Sequence, residues 1–395
     1  MKKLLSTSVL LLLFTLASIA QTGTTYDDSL NSGGVFRTYK VYKPSVYDGT
    51  NAVPLLLNFH GLGSNNNEQM LGADFRGIAD TANFIMVLPN GTAITATALT
   101  GGLGFDMFGD VSRGINDVNF VSELLDSLIK KYNIDTTRIY ATGMSNGGFM
   151  AYELACHLSD RVTAVASVTG SMQENRTAVC NATHPIPVMQ IHGTTDGVVD
   201  YNGGSGAKGT IFYIPTVPVE DLVDFWVAHN NTSTTPTKTD IADTSSTDGS
   251  TVEHYVYSGG SRNATVELFK IIGGGHQWPG DTVTAATAGE NRNMDFSASK
   301  EIWRFFSQQS FLADASSIDK PEAQVTIYPN PSSGQITINC NACAGETVQI
   351  FNVLGTAVFS GILQQQLTTL DLSNLQAGLY FYKVANGKSG SVIIK

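Results

Sequence analysis

Charge is scarce in this sequence. Only 14% of its 395 residues are Asp, Glu, Lys or Arg, and 23 basic side chains face 34 acidic ones, a formal net charge of -11. Beyond the extreme N-terminus there is no basic run, which argues against nucleic acid or an anionic membrane as partner, since both need clustered Lys and Arg. Neither the phosphate-cradling G-x-x-x-x-G-K-S/T nor H-E-x-x-H occurs, so no cofactor and no metal are expected. Cysteine is limited to four residues, and no apolar stretch is long enough for a comfortable membrane span. With 42% hydrophobic residues the composition is nonetheless globular.

The N-terminus reads MKKLLSTSVLLLLFTLASIAQ, two lysines before a short apolar core and a small-residue site at Ser18-Ile19-Ala20. This predicts a signal peptide over residues 1–20, cleaved after Ala20, with no membrane insertion after processing. An exported chain can carry disulfides, and the cysteines fall into two local pairs, Cys156 with Cys180 and Cys340 with Cys343. No further ligands near them complete a zinc site.

From Val53 to about Gln308, short apolar runs alternate with amphipathic segments. VPLLLNFHG, FIMVLPNG, RIYATGM, VTAVASVTG and IPVMQIHG read as strands, while INDVNFVSELLDSLIKKY and VPVEDLVDFWVAHN read as helices. That alternation predicts a parallel sheet covered on both faces. The segments TVEHYVYS and ATVELFKII predict a β-hairpin excursion inside this domain. LADASSIDKPEAQ then reads as a linker, and from Val325 onward short alternating strands predict a small all-β sandwich. The expected organisation is a catalytic α/β domain over 21–311, a linker over 312–324 and a β-sandwich over 325–395.

What the chain has in plenty is glycine, 39 residues, and its placement in YATGMSNGGFMAYELAC is informative. Ser145 lies between Gly143 and Gly147, after an apolar strand and before a helical pattern. G-x-S-x-G in that setting is the nucleophile elbow of α/β-hydrolases, where a strained turn projects the serine hydroxyl and glycines avoid collisions with neighbouring elements. A serine needs a base and the base an orienting acid, which follow it in the order Ser, acid, His in this fold. His276, in the glycine-emptied loop IIGGGHQWPG, is the expected base. Asp196, in the turn of IHGTTDG, is the expected acid, with Asp200 as the alternative. His157, His184, His229 and His254 read as structural or exposed, and His192 as packing or capping its turn. Backbone N–H groups of Asn146, after the nucleophile, and Leu62, in HGLG, are the expected oxyanion donors. Trp278 is expected as a flat wall of the substrate cleft with an N–H to donate, the alternative being that it packs beneath the loop and holds His276 in place.

Taken in order, FHGLG, INDVNFV, GMSNGGFMAYELAC, IPVMQIHGTTDGVVDY, DFWVAHNN and GGGHQWPG resemble the secreted esterase family of polyhydroxybutyrate depolymerases, feruloyl esterases and acetylxylan esterases. The resemblance covers most of Val35 to Phe306. It implies an α/β-hydrolase fold, a Ser145–Asp196–His276 triad and cysteines like Cys156 and Cys180. Where that family usually carries a tryptophan and paired cysteines before INDVNFV, this chain has GFDMFGDVSRG. The tail, with YPNP and GLY followed by a basic end, is similar to the C-terminal sorting domain of type IX secretion, which implies the secretion machinery as partner and export past the outer membrane. The expected function is ester hydrolysis on plant cell-wall feruloyl or acetyl esters. The alternatives are a short-chain polyester depolymerase and a surface adhesin that kept the fold without its chemistry.

Overall fold

The computed structural model describes residues 22–93, 103–106, 115–205, 215–284, 289–311, 325–340, 346–352, 355–384 and 389–395. The expected signal peptide, the linker over 312–324 and Cys343 lie outside the described residues. The chain divides into two compact units, Met1–Phe311 and Leu312–Lys395.

The first unit runs β1 (Thr24–Ser32), β2 (Val35–Lys43), β3 (Val53–Phe59), α1 (Asn66–Gly72), α2 (Arg76–Ala82) and β4 (Ile85–Pro89). The two-residue strands β5 (Thr92–Ala93) and β6 (Leu103–Gly104) precede α3 (Asp117–Lys131), β7 (Ile134–Met144), α4 (Asn146–His157), β8 (Ala164–Val168) and β9 (Val188–Gly193). After the short β10 (Gly204–Ser205) and β11 (Pro215–Thr216) come α5 (Val219–Asn230), β12 (Thr237–Ile241), β13 (Thr251–Tyr257), β14 (Val266–Ile272) and α6 (Ala298–Ser307).

Ten strands form one sheet in the order β1-β2-β4-β3-β7-β8-β9-β14-β13-β12. Its centre, β4 to β14, is parallel, but both edges are antiparallel. Two expectations are corrected here. The sheet is mixed, because the hairpin β1–β2 adds an edge that the polar sequence TTYDDSLNS does not announce. The hairpin β13–β14 forms but is no excursion: β14 pairs parallel with β9 and carries the loop to His276.

Strands β3, β4, β8 and β9 are buried at every residue. Alternate side chains enter opposite layers, as period-two geometry requires. Leu55, Leu57 and Phe59 join a core with Phe120 and Leu124 of α3, Met150 and Leu154 of α4, and Leu222 and Trp226 of α5. Leu56, Met86 and Leu88 join the other core, with Ala79 of α2 and Ile302 and Phe305 of α6. The loops at the carboxyl ends of the parallel strands are thereby held between two packed layers, where ligands of such sheets bind.

The second unit contains β15 (Val325–Tyr328), β16 (Gln335–Cys340), β17 (Thr347–Phe351), β18 (Ala357–Ile362), β19 (Leu367–Asp371), β20 (Gly378–Val384) and β21 (Ser389–Ile394). They form a three-stranded sheet, β15-β16-β19, and a four-stranded sheet, β18-β17-β20-β21. One core takes Ile336, Ile338 and Leu370 from the first and Val348, Ile350, Val384 and Val392 from the second, a small sandwich.

Candidate active site

Ser145 sits between the end of β7 and the start of α4 with φ 54° and ψ -119°, a backbone conformation a residue with a side chain adopts only under strain. Its N–H is tied to Val168 O of the adjacent β8 at 2.8 Å, and its C=O accepts from Gly148 and Phe149 as α4 begins. The glycines are there for clearance. A Cβ on Gly147 would lie 2.1 Å from Phe59 O, and one on Gly143 would lie 2.5 Å from the Gly147 carbonyl carbon. Strand β3 and the turn therefore touch backbone to backbone.

Asp196 follows β9 and His276 follows β14. The His276 Nδ1 is 2.9 Å from Asp196 Oδ2 and 3.1 Å from Oδ1, with both residues buried. Asp196 Oδ1 also accepts the N–H groups of Val198 and Val199 at 2.8 Å each, so the residue shapes its own turn as well as facing the imidazole. Burial alone would raise its pKa, but the His276 and His192 rings outweigh that and hold the carboxyl well below the ordinary carboxylate range. Asp200 instead accepts from Asn202 N–H at 2.9 Å in its own turn.

Three supports of this pair have no local sequence signal. Glu290 accepts from the His276 N–H with Oε2 and from Gly197 N–H with Oε1 at 3.1 Å, so one carboxylate joins the loop of the base to the loop of the acid. His192, beyond capping its turn by donating to Val199 O at 2.8 Å, brings Nε2 to 3.2 Å from Asp196 Oδ2. Its Nδ1 accepts from Gln190 Nε2 at 2.8 Å, and Gln190 Oε1 accepts from Tyr152 OH at 2.6 Å, a buried chain back to α4. His157, His254, His184 and His229 lie elsewhere, the first two beside Glu153 and Glu267, and His229 donates from Nε2 to His184 O at 3.2 Å.

Across the cleft, the His60 Nε2 accepts from Gly91 N–H at 3.0 Å, so its Nδ1 carries the proton and donates to Gly61 O at 2.7 Å. Ser64 N–H also reaches Gly61 O. Because C=O and N–H of a trans peptide point to opposite sides, these bonds turn the Leu62 N–H away from His60. Among the described residues neither Leu62 N–H nor Asn146 N–H has a backbone acceptor. The Asn146 side chain pairs both ways with Phe105, at 2.7 and 3.0 Å, and Gly63 N–H bonds Leu103 O at 2.8 Å. Leu103 thus braces the loop after β3, and Phe105, in the described part of GFDMFGDVSRG, braces the serine turn, while the Met107–Gly114 portion lies outside the described residues.

Ser145 and His276 line one cleft of about 460 Å³, with Gly61, Leu62, Met144 and Trp278 among its other walls. Trp278 is only 3% exposed, sets its ring edge against Phe75 and donates its indole N–H to Ser299 Oγ at 3.2 Å. The N–H expected to be free for a substrate is therefore spent within the fold. Cys156, at the end of α4, is disulfide-bonded to Cys180. Cys340 is also disulfide-bonded.

A strained serine at a strand-to-helix turn, with a histidine and a carboxylate on later loops of a mostly parallel sheet, defines an α/β-hydrolase. Residues 46–231 match the phospholipase/carboxylesterase family, and residues 326–395 match the secretion system C-terminal sorting domain. That second match marks the chain for export. A bifunctional acetylxylan esterase/xylanase of Neocallimastix patriciarum is 32% identical over 182 residues, 46% of this chain and 25% of that protein. Feruloyl esterase B of Piromyces equi is 27% identical over 236 residues, 59% of this chain and 41% of that protein. The chain spans less than half the length of either curated relative. The solved acetyl xylan esterase from Aspergillus awamori is similar in fold, with TM-score 0.50 at 12% identity over 71% of this chain and 99% of that one.

Proposed function

We propose that the protein is an exported serine ester hydrolase that works through an acyl-enzyme and acts on acetyl or feruloyl esters of plant cell-wall polysaccharides. One observation carries the chemistry: Ser145 and His276 line the same cleft while Asp196 holds the far nitrogen of His276 at 2.9 Å. In the first half-reaction the Ser145 Oγ attacks the ester carbonyl carbon as His276 Nε2 takes its proton. The carbonyl oxygen becomes an oxyanion facing the N–H groups of Leu62 and Asn146. Collapse breaks the bond to the alkoxy oxygen, which leaves with the proton from His276. Water then repeats the sequence on the acyl-serine, giving up its proton to His276 and releasing the acid and free Ser145. Ionised Asp196 keeps the proton on Nδ1, leaving Nε2 as the base, and stabilises the imidazolium that forms.

The substrate class is supported by the relatives, two of which are named for acetylxylan and feruloyl esters. The test is turnover of methyl ferulate, acetylated xylan and polyhydroxybutyrate by the purified protein and by Ser145→Ala. Hydrolysis of either plant-type ester, lost in the variant, is the expected result. Turnover confined to the polyester would move the substrate, and no turnover of any of them would overturn the reading.

A further inference from the structure

Arg37 of β2 and Asp117, at the start of α3, form a buried ion pair, with side chains only 3% and 1% exposed. Such a pair stabilises little more than apolar residues of the same volume, so stability alone gives no reason for it. Its geometry offers one. Asp117 Oδ1 accepts from Arg37 Nη2, while Oδ2 accepts the Asp106 N–H at 2.6 Å. Arg37 is itself pinned, donating to Asn90 O at 3.1 Å and lying 3.9 Å over the Phe120 ring. Asp106 closes the segment 103–106, a strap that meets both loops expected to supply oxyanion donors. Leu103 O accepts from the N–H of Gly63, next to Leu62, and Phe105 pairs through its N–H and C=O with the Asn146 side chain. Between them Gly104 packs backbone to backbone on Gly91, where a Cβ would lie 2.4 Å from the Gly104 carbonyl carbon.

We infer that Asp117 is a positioning residue for the oxyanion hole: by holding Asp106 it fixes the strap that sets the Leu62 N–H against the Asn146 N–H. This rests on the ester-hydrolase reading above, which makes those two groups the donors. They come from different loops, after β3 and after β7, and they work only if both converge on one oxygen. A misplacement of about 1 Å can cost on the order of 100-fold in rate. The strap links the two loops, yet its only regular pairing is the two-residue bridge to Thr92 and Ala93, so its far end depends on a side-chain acceptor. A carboxylate suits that place. Asp106 N–H and the guanidinium are both donors, and an amide would turn its NH2 on one of them.

The experiment reads turnover of p-nitrophenyl acetate, inhibition by an alkyl trifluoromethyl ketone and amide hydrogen exchange on the full chain. Ser145 Oγ adds to the ketone carbon as its proton passes to His276, and the ketone oxygen becomes an oxyanion held as in the transition state. Arg37→Met combined with Asp117→Leu replaces the pair by apolar side chains and should keep the urea midpoint near wild type. Asp117→Asn, which keeps the shape but turns its NH2 toward Asp106 N–H, carries the same expectation should the double variant fold poorly. Exchange at Asp106 N–H should quicken about 10-fold, and kcat should fall about 10- to 100-fold with KM changed less than about twofold. The inhibition constant of the ketone should rise by the factor that kcat/KM loses. Unchanged exchange at Asp106, wild-type kcat, or a fall in kcat that leaves ketone affinity intact would each overturn the inference and leave ester hydrolysis standing. A wild-type protein that neither turns over the ester nor binds the ketone would overturn both.

Discussion

The loops after β3 and β7 hold Ser145 by backbone against backbone, whereas the loops after β9 and β14 hold Asp196 and His276 by side chains reaching across to them. On the serine side, Gly143 and Gly147 let Phe59 O approach within a distance that no Cβ permits. On the acid–base side, Glu290, His192 and Gln190 supply the connections, and the residues joined are as far apart as 93 positions. Backbone contact is stiff and tolerates no added atom. A side-chain network is graded, and each member can be weakened without displacing a strand.

The contrast can be broken most severely on the stiff side. Gly147→Ala drives a methyl into β3 backbone that has nowhere to move, so it should cost at least about 3 kcal/mol and abolish turnover. Urea unfolding checks this, and a wild-type midpoint would show that the turn yields. Glu290→Gln sharpens the other side. An amide has one acceptor oxygen, so it cannot serve both Gly197 and His276, and its NH2 opposes one of them. The loops should loosen, with kcat falling about 10- to 100-fold on a small acetyl ester, KM little changed and the fold kept. Unchanged kcat would mean that the acid and base loops do not depend on this carboxylate.

A smaller effect concerns His60, whose pKa burial pushes below 6.5. A depressed base takes its proton first in the unfolded chain, so its contribution to stability is lost as pH falls from about 6.5 toward the folded value, by up to about 1.4 kcal/mol per pH unit. His60→Asn should flatten the decline in urea stability between pH 7 and 5.5. An identical slope in both proteins would remove His60 as its source. The smallest effect is expected from deleting residues 325–395, which build a separate core. Turnover should stay within about twofold while export is lost, and an inactive truncated protein would show that the first unit needs the second.

The same contrast decides what the sequence shows. The serine turn is local: strand, G-x-S-x-G and helix lie within one stretch, and the buried runs of β3, β4, β8 and β9 announce the sheet centre. The edge hairpin β1–β2 is hidden because TTYDDSLNS is polar and half exposed, with its pairing supplied by β4. Asp196 and Asp200 differ by four positions, and only the fold shows which faces His276. Glu290 and Arg292 lie in AGENRNMDF, a polar loop with no periodicity, so their partners on the β9 and β14 loops leave no trace in it.

The central claim is that Ser145 is the nucleophile. It is tested most directly by treating the intact protein with a fluorophosphonate and mapping the adduct by mass spectrometry alongside residual hydrolysis of p-nitrophenyl acetate. A single adduct on Ser145, formed in step with loss of turnover and absent from a Ser145→Ala variant that has itself lost activity, is the predicted result. Complete inactivation with Ser145 unmodified, or near-normal turnover by Ser145→Ala, would contradict it.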